Sequence, residues 1–268
     1  MTRPAGTLPL DQLLQHEGFG TRRTCRAMVW SDRVTVAGVL AENPDVRVLA
    51  EGTPYAVDGV EWVSRERVYL AMHKPLGHEV SRKPQHHASV FALLPPELDA
   101  RGVQPVGRLD ADSTGLLIFS DDGNFIHHLG SPRHAVTKTY VATLAEPGTS
   151  AFVHALRTGV QLRDERVPVA AASAELLAAD TLRIVLTEGK YHQVRRMVAA
   201  AGNHVLTLHR PAIGSLAIDE RLPEGSWRYL EAGEVAELVT YKNLRWQLEP
   251  MSYYQRQLQT FLGMFYLG

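Results

Sequence analysis

The sequence lacks the features that mark secreted and membrane proteins. Its 268 residues contain one cysteine, Cys25, so an internal disulfide is excluded and a reducing compartment is expected. No stretch approaches the ~20 consecutive apolar residues of a membrane-spanning helix, and residues 2–9 lack the apolar segment of a signal peptide. We therefore expect a cytoplasmic protein without a membrane partner.

The sequence also lacks an excess of charge of one sign. Its 28 Lys and Arg residues nearly cancel its 29 Asp and Glu residues. Binding to a nucleic acid would therefore need a local basic surface, because overall charge does not supply one. The hydrophobic fraction of 45% is sufficient for one sizeable core and a small additional domain.

The most informative stretch is residues 105–119. Its apolar end, Leu116 to Phe119, is followed by Ser-Asp-Asp-Gly and predicts a strand buried on both faces. Arg108, Asp110 and Asp112 precede this strand at a spacing of two, so they share one face of an extended segment. Charges at the mouth of a buried strand must be paired, hydrogen-bonded or functional. The residues alone leave open an Asx-type turn with Arg108 as surface partner, and a metal or glycosyl-transfer site on the aspartate pair.

Three motifs in chain order resemble those of the RNA pseudouridine synthases. They are Gly-Arg-Leu-Asp at 107–110 with Thr-Gly-Leu-Leu and Asp-Asp-Gly behind it, Lys-Thr-Tyr at 138–140, and Glu-Gly-Lys-Tyr-His-Gln-Val-Arg-Arg-Met at 188–197. The resemblance implies that Asp110 is the catalytic carboxylate, that Arg195 pairs with it, that Tyr140 stacks on the target base, and that Arg108 braces the loop. It also implies isomerisation of uridine to pseudouridine without a cofactor or a metal.

The second and third motifs have ordinary alternatives. Residues 138–144 alternate as a strand that places Tyr140, Ala142 and Leu144 on one face, so Tyr140 could be a core aromatic. Residues 191–202 predict an amphipathic helix with Arg195 and Arg196 in its first turns, where the helix dipole disfavours cations. An anionic partner is therefore expected, and Arg196 is either an RNA contact or a solvated surface residue.

Residues 8–53 resemble the small RNA-binding domain first known from ribosomal protein S4. Thr21 is a plausible N-cap for a helix over residues 22–30 with a basic face of Arg22, Arg23 and Arg26. The resemblance implies that these arginines bind RNA phosphates, and a solvated charged face is the alternative. Ala37-Gly38 departs from the Asn-Gly that is usual in this domain.

The remaining segments complete the predicted organisation. Residues 1–9 predict a disordered lead-in, 54–66 a polar linker and 67–240 the catalytic domain, and 241–268 form an aromatic-rich extension expected to pack on the core or a partner. Lys74, in His-Lys-Pro-Leu-Gly, is a candidate phosphate contact or a solvated lysine. The fold class implied is α+β, with a largely antiparallel mixed sheet flanked by helices.

The resemblance is nearest to the branch that acts on small-subunit (16S) rRNA. The expected partner is ribosomal RNA or a ribosomal subunit particle, and we expect a monomer. A synthase acting on 23S rRNA is the first alternative. The alternative of another class is a non-catalytic RNA-binding assembly factor, which a changed Asp110, Tyr140 or Arg195 would have favoured.

Overall fold

The computed structural model describes residues 6–240. The strands are β1 (Thr7–Pro9), β2 (Val34–Val36), β3 (Val39–Leu40), β4 (Arg47–Leu49), β5 (Pro54–Val57), β6 (Val60–Val63), β7 (Tyr69–Lys74), β8 (His78–Glu79), β9 (Ala88–Ser89), β10 (Gln104–Pro105), β11 (Ser113–Ser120), β12 (Lys138–Leu144), β13 (Ser173–Ala178), β14 (Thr181–Leu186), β15 (Val205–Ile213), β16 (Leu216–Ala217) and β17 (Trp227–Tyr229). The α-helices are α1 (Leu10–His16), α2 (Arg22–Trp30), α3 (Pro96–Arg101), α4 (Gly123–Gly130), α5 (Ser150–Thr158), α6 (Gln193–Ala200) and α7 (Ala232–Thr240). The extension predicted over residues 241–268 lies outside the described residues.

A nine-stranded sheet forms the larger unit. Its main order is β13-β14-β12-β15-β11-β7-β17, with β10 beside β11 and β16 beside β15. All its pairings are antiparallel except that of β11 with β15. Helices α5 and α6 pack on β12, β14 and β15, whereas α4 and α7 pack near β11. The predicted α+β class with a largely antiparallel mixed sheet is confirmed.

Strand β11 is buried on both faces, as its apolar run predicts. Leu116 and Ile118 belong to the core cluster that includes α4 and α7. Leu117 and Phe119 belong to the cluster on the opposite face, with α3. Because its side chains fill both cores, the strand gives a rigid base to the charged loop that precedes it.

The first residues of β11 lie unusually close to β15. Gly115 pairs with Arg210 in the parallel register, and a Cβ atom on Gly115 would lie 2.3 Å from the Arg210 carbonyl oxygen. The φ angle of Gly115 is +115°, a conformation that favours glycine. A glycine is therefore required for the two backbones to approach.

The smaller unit comprises β1 to β6 with α1 and α2, and it corrects two predictions. Residues 7–9, expected in a disordered lead-in, form a strand that pairs with β4. Residues 54–66, expected to be a polar linker, contain the β5–β6 hairpin, which pairs with β2. At the turn of this hairpin, Asp58 and Gly59 have φ angles of 50° and 80°. Asp-Gly at these positions is a strong hairpin signal in the sequence.

A buried ion cluster joins the two units. The Arg101 guanidinium, 1% exposed, donates to Glu17 Oε2 from helix α1's C-terminus and to Asp121 Oδ2 after β11, each at 2.8 Å. It also donates to the Arg65 carbonyl oxygen at 2.6 Å. One arginine therefore links the smaller unit, the segment between the units and the main sheet.

Substitution of Gly115 by Ala should strongly destabilise the protein, because the added Cβ would collide with the Arg210 backbone. We expect a loss of unfolding free energy on the order of 3–5 kcal/mol in urea titrations. Gly123→Ala is the matched control, since a Cβ at this helix position meets no atom within 4 Å. Its effect should stay within about 1 kcal/mol. Equal effects of the two substitutions would contradict the close-approach argument.

Replacing Arg101 by Met should leave Glu17 and Asp121 buried without their cation. We expect a loss of about 3–5 kcal/mol in unfolding free energy, because an unpaired buried charge is costly. Arg33→Met is the control, since its pair with Asp58 is about half exposed and should contribute less than about 1 kcal/mol. A loss no larger than that of the control would show that the ion cluster does not hold the units together.

Candidate active site

A cleft of about 840 Å³ opens where the loop before β11 faces β12 and the start of α6. Asp110, Tyr140 and Arg195, which the sequence motifs single out, all line it. Arg108 lies at the same cleft, whereas Lys74 and Arg196 are not among its lining residues. The fold therefore brings three segments that are distant in sequence to one concave site.

The loop that presents Asp110 is anchored on both sides. Val106 belongs to the core cluster that includes Leu116, and Leu109 belongs to the cluster that includes Tyr140. The Ser113 N–H donates to the Asp110 carbonyl oxygen at 3.1 Å and closes the turn. The Asp110 carboxylate remains 35% exposed in the cleft.

Three cations donate to backbone carbonyl oxygens in or beside this loop. Lys74 Nζ donates to Ser113 O at 2.8 Å and to Pro75 O at 2.9 Å. Arg210 donates from Nη1 to Arg108 O at 3.3 Å and from Nε to Leu116 O at 2.9 Å. Arg195 Nη2 donates to Asp112 O at 3.3 Å. The backbone around Asp110 is therefore held by charge-assisted hydrogen bonds.

The prediction that Lys74 contacts phosphate is wrong, because the residue is buried. Its side chain is completely buried, and burial lowers the pKa of its ammonium group to about 8, although Asp112 and Asp110 oppose this shift. A side chain enclosed in this way cannot reach RNA. It cross-links the strand end at Pro75 to the start of β11 instead.

Arg195 does not pair with Asp110 in this structure, contrary to the motif-based prediction. Its Nη2 lies 2.9 Å from Asp112 Oδ2, and its Nη1 donates to Val205 O at 3.1 Å. The second contact holds the guanidinium on the Asp112 side of the loop. Asp110 Oδ1 faces His192 Nε2 at 3.2 Å instead.

His192 can reach Asp110 because it lies just before helix α6, whereas the sequence pattern predicts it within the helix. The helix starts at Gln193, two residues after the predicted start, and His192 is its N-cap with a left-handed φ of 46°. That conformation turns its ring out of the helical path, into the cleft. A regular amphipathic pattern predicts the helix but not this turn.

Tyr140 occupies the cleft floor and the core at once. Its ring is 8% exposed and belongs to the cluster that contains Leu109 and Val194. The pairing of β12 with β15 shifts register between Thr139 and Val141, directly around Tyr140. The Arg210 guanidinium lies 5.9 Å from the centre of the ring.

The other predicted contact residues have different surroundings. Arg22 and Arg26 bind the buried carboxylate of Asp11 at 2.7 and 2.9 Å, and Arg26 also binds Asp45. Arg23 is exposed on the same helix, and within residues 6–240 its side chain has no hydrogen-bond partner.

Arg108 lies at the cleft, and Arg196 lies outside it on helix α6. The Arg108 side chain is exposed, and in the described part of the chain it makes no hydrogen bond, so Arg210 braces the loop in its place. Arg196 donates to the Tyr191 carbonyl oxygen at 3.2 Å and pairs with Asp164 at 3.3 Å. Arg196 therefore has an anionic partner, as the helix-dipole argument required.

Sequence reasoning missed Lys138, His192 and Arg210 as cleft residues. Lys138 stands two positions before Tyr140 on an alternating strand, so the spacing could have placed it on the same face. Burial, together with the nearby Arg210 charge, lowers the pKa of Lys138 to about 8. Nothing in the local sequence marks Arg210, which lies in the middle of an ordinary strand.

Residues 6–240 contain neither a metal-binding cluster nor a helix suited to crossing a membrane. No group of three or more His, Cys, Asp or Glu side chains in this range is arranged to hold a metal ion. Within the same range, the helices are all too short or too polar to cross a membrane.

Comparison with known proteins identifies the family. A family model described as RNA pseudouridylate synthase matches residues 68–200. A protein of Pasteurella multocida (strain Pm70), named ribosomal small subunit pseudouridine synthase A, is 36% identical over 229 residues, covering 85% of this chain and 97% of that protein. The protein of the same name from Escherichia coli (strain K12) is 35% identical over 231 residues, covering 86% and 99%.

A solved structure agrees with these sequence matches. The crystal structure of a pseudouridylate synthase aligns with a TM-score of 0.62 and 32% sequence identity, covering 87% of this chain and all of the other. The chain therefore belongs to the RNA pseudouridylate synthase family and is an RNA pseudouridine synthase. The family and enzyme class predicted from the motifs are confirmed.

The lowered pKa of Lys138 predicts a pH dependence of stability. Between about pH 8 and the unfolded value near 10.4, the unfolded chain binds more protons, so stability rises with pH. Relative to Lys138→Met, the wild type should gain on the order of 1–2 kcal/mol of unfolding free energy from pH 7.5 to 9.5. Urea titrations of both proteins at both pH values measure this difference. A difference that does not change with pH would mean that Lys138 titrates normally.

Proposed function

We propose that this protein converts a specific uridine of 16S rRNA to pseudouridine, with Asp110 as the catalytic carboxylate. The supporting observation is that a rigidly held loop presents Asp110 at the cleft beside Tyr140. The relatives named for the ribosomal small subunit support 16S rRNA as the substrate.

The proposed reaction breaks the N1–C1′ bond of uridine and joins the same uracil to the ribose through C5. The C5 proton is lost and N1 gains a proton, so the isomerisation is balanced without an oxidant or another reactant. Asp110 acts on the ribose, as a nucleophile at C1′ or as a base at C2′. A cofactor and a metal are not needed for either route.

We propose distinct roles for the neighbouring groups. Tyr140, whose ring forms part of the cleft floor, stacks on the flipped uracil. Arg195 holds Asp112 and the loop backbone, so it positions Asp110 without contacting it. Loop anchoring of this kind keeps the carboxylate in a productive orientation before RNA arrives.

RNA docking is proposed for the smaller unit and the cleft rim. The exposed Arg23 and Arg108 contact phosphates directly, whereas Arg22, Arg26 and Arg196 exchange part of their carboxylate contacts for phosphate. The smaller unit acts as an S4-like RNA-binding domain. We further propose that the enzyme works as a monomer in the cytoplasm, on ribosomal RNA or a subunit particle.

The decisive experiment measures tritium release from 5-tritiated uridine in 16S and 23S rRNA transcripts and in ribosomal particles. Asp110→Asn should lower the rate at least ~10²-fold, because the reacting carboxylate is lost while the fold is preserved. Asp112→Asn is the matched control from the same loop and should retain activity within about tenfold, since Arg195 also donates to the Asp112 backbone carbonyl oxygen and would still hold the loop.

Each outcome of this experiment has a definite meaning. Release from 23S rRNA alone would replace the proposed substrate with the large-subunit RNA. Release that Asp112→Asn abolishes and Asp110→Asn spares would transfer the catalytic role to Asp112. No release from any RNA, with tight binding by wild type and variants, would leave an RNA-binding assembly factor.

A further inference from the structure

A second aromatic ring stands at the mouth of the cleft. Tyr191 is 76% exposed, although it lines the same cleft as Asp110. One face of its ring is stacked on His192, with ring centres 3.8 Å apart and an angle of 19° between the planes. His192 in turn contacts Asp110. The outer face of the Tyr191 ring therefore points away from His192, the residue that contacts Asp110.

The turn that presents Tyr191 is firmly held. Gln193 is 4% exposed, and its Oε1 accepts from the Lys190 N–H at 2.9 Å, while its Nε2 donates to Glu188 Oε1 at 2.9 Å. The Arg196 guanidinium donates to the Tyr191 carbonyl oxygen at 3.2 Å. Because the backbone is held on both sides, the ring loses little conformational freedom when a partner stacks on it.

This arrangement differs from that of Tyr140. The Tyr140 ring is buried in the floor beside the core, where only a base turned out of its stack can reach it. The Tyr191 ring is at the rim, where its exposure leaves it open to a base that stays outside the cleft floor. Exposed aromatic rings beside a basic groove are the usual stacking platforms for single-stranded RNA.

We propose that the outer face of Tyr191 stacks on a nucleobase next to the target uridine, so that Tyr191 and His192 form a second binding subsite for the RNA. This proposal rests on the proposed function and deepens it. Stacking recognises the flat face of a base and not its edge. The subsite therefore contributes affinity and holds the strand while the uridine is flipped.

The test compares Tyr191→Ala with Tyr191→Phe in the tritium-release assay, on the transcript that the wild type modifies. Tyr191→Ala should raise KM about 5- to 100-fold with a smaller change in kcat, because one base–ring stack is lost. Tyr191→Phe keeps the flat face and should stay within about twofold of wild type. Leu206→Ala is the control, since Leu206 is 62% exposed and does not line the cleft.

Abasic RNA then identifies the partner of the ring. Once the modified uridine is mapped, ligated transcripts with an abasic nucleotide on its 5′ or its 3′ side are assayed. One of these RNAs should raise the wild-type KM to the Tyr191→Ala value and should not impair Tyr191→Ala further. Effects of the variant and the abasic site that simply multiply would overturn the stack.

Two other results would also overturn the proposal. They are a Tyr191→Ala enzyme that matches wild type, and a Tyr191→Phe enzyme as impaired as Tyr191→Ala, which would point to the hydroxyl group. In both cases the wild type still releases tritium, so the proposed function stands. Absence of release by the wild type would remove both proposals together.

Discussion

The close approach of strands β11 and β15 is the constraint on which the site depends. Gly115 lets the Arg210 backbone lie where any side chain would collide, and this places the buried Arg210 guanidinium directly beneath the preceding loop. From there the guanidinium donates to the carbonyl oxygens of Arg108 and Leu116. The loop that presents Asp110 is thus tied to the centre of the sheet. A mobile surface turn would not hold the Asp110 carboxylate in one orientation.

Buried cations serve here as anchors for the backbone. Lys74 and Arg210 are both enclosed, and both satisfy carbonyl oxygens near the cleft. Burial opposes the charged state of Lys74 and lowers its pKa to about 8. The compensation comes from charge-assisted hydrogen bonds and from the carboxylates of the loop. Asp110 is consequently positioned through its main chain, and its carboxylate is left accessible in the cleft.

An enclosed ion cluster helps to dock the two units of the chain. Arg101 binds Glu17 and Asp121 and also the Arg65 carbonyl oxygen, so the smaller unit is attached to the sheet that bears the cleft. A flexible linker would let the basic helix α2 vary its distance from the cleft. The docked arrangement sets that distance in advance.

The sequence by itself determined the family, the α+β class, the doubly buried strand β11 and the presence of Asp110, Tyr140 and Arg195 at one cleft. The family, the fold class and the site residues follow from the resemblance of the motifs, and the buried strand follows from its apolar run, which neighbouring residues specify. Only the tertiary structure decided the side-chain contacts and the burial of the charged residues. Arg195 binds Asp112, His192 faces Asp110, and Lys74 is buried. The physical reason is that such contacts depend on a strand crossing, a left-handed residue before α6 and the paths of side chains between distant segments. No local pattern contains that information.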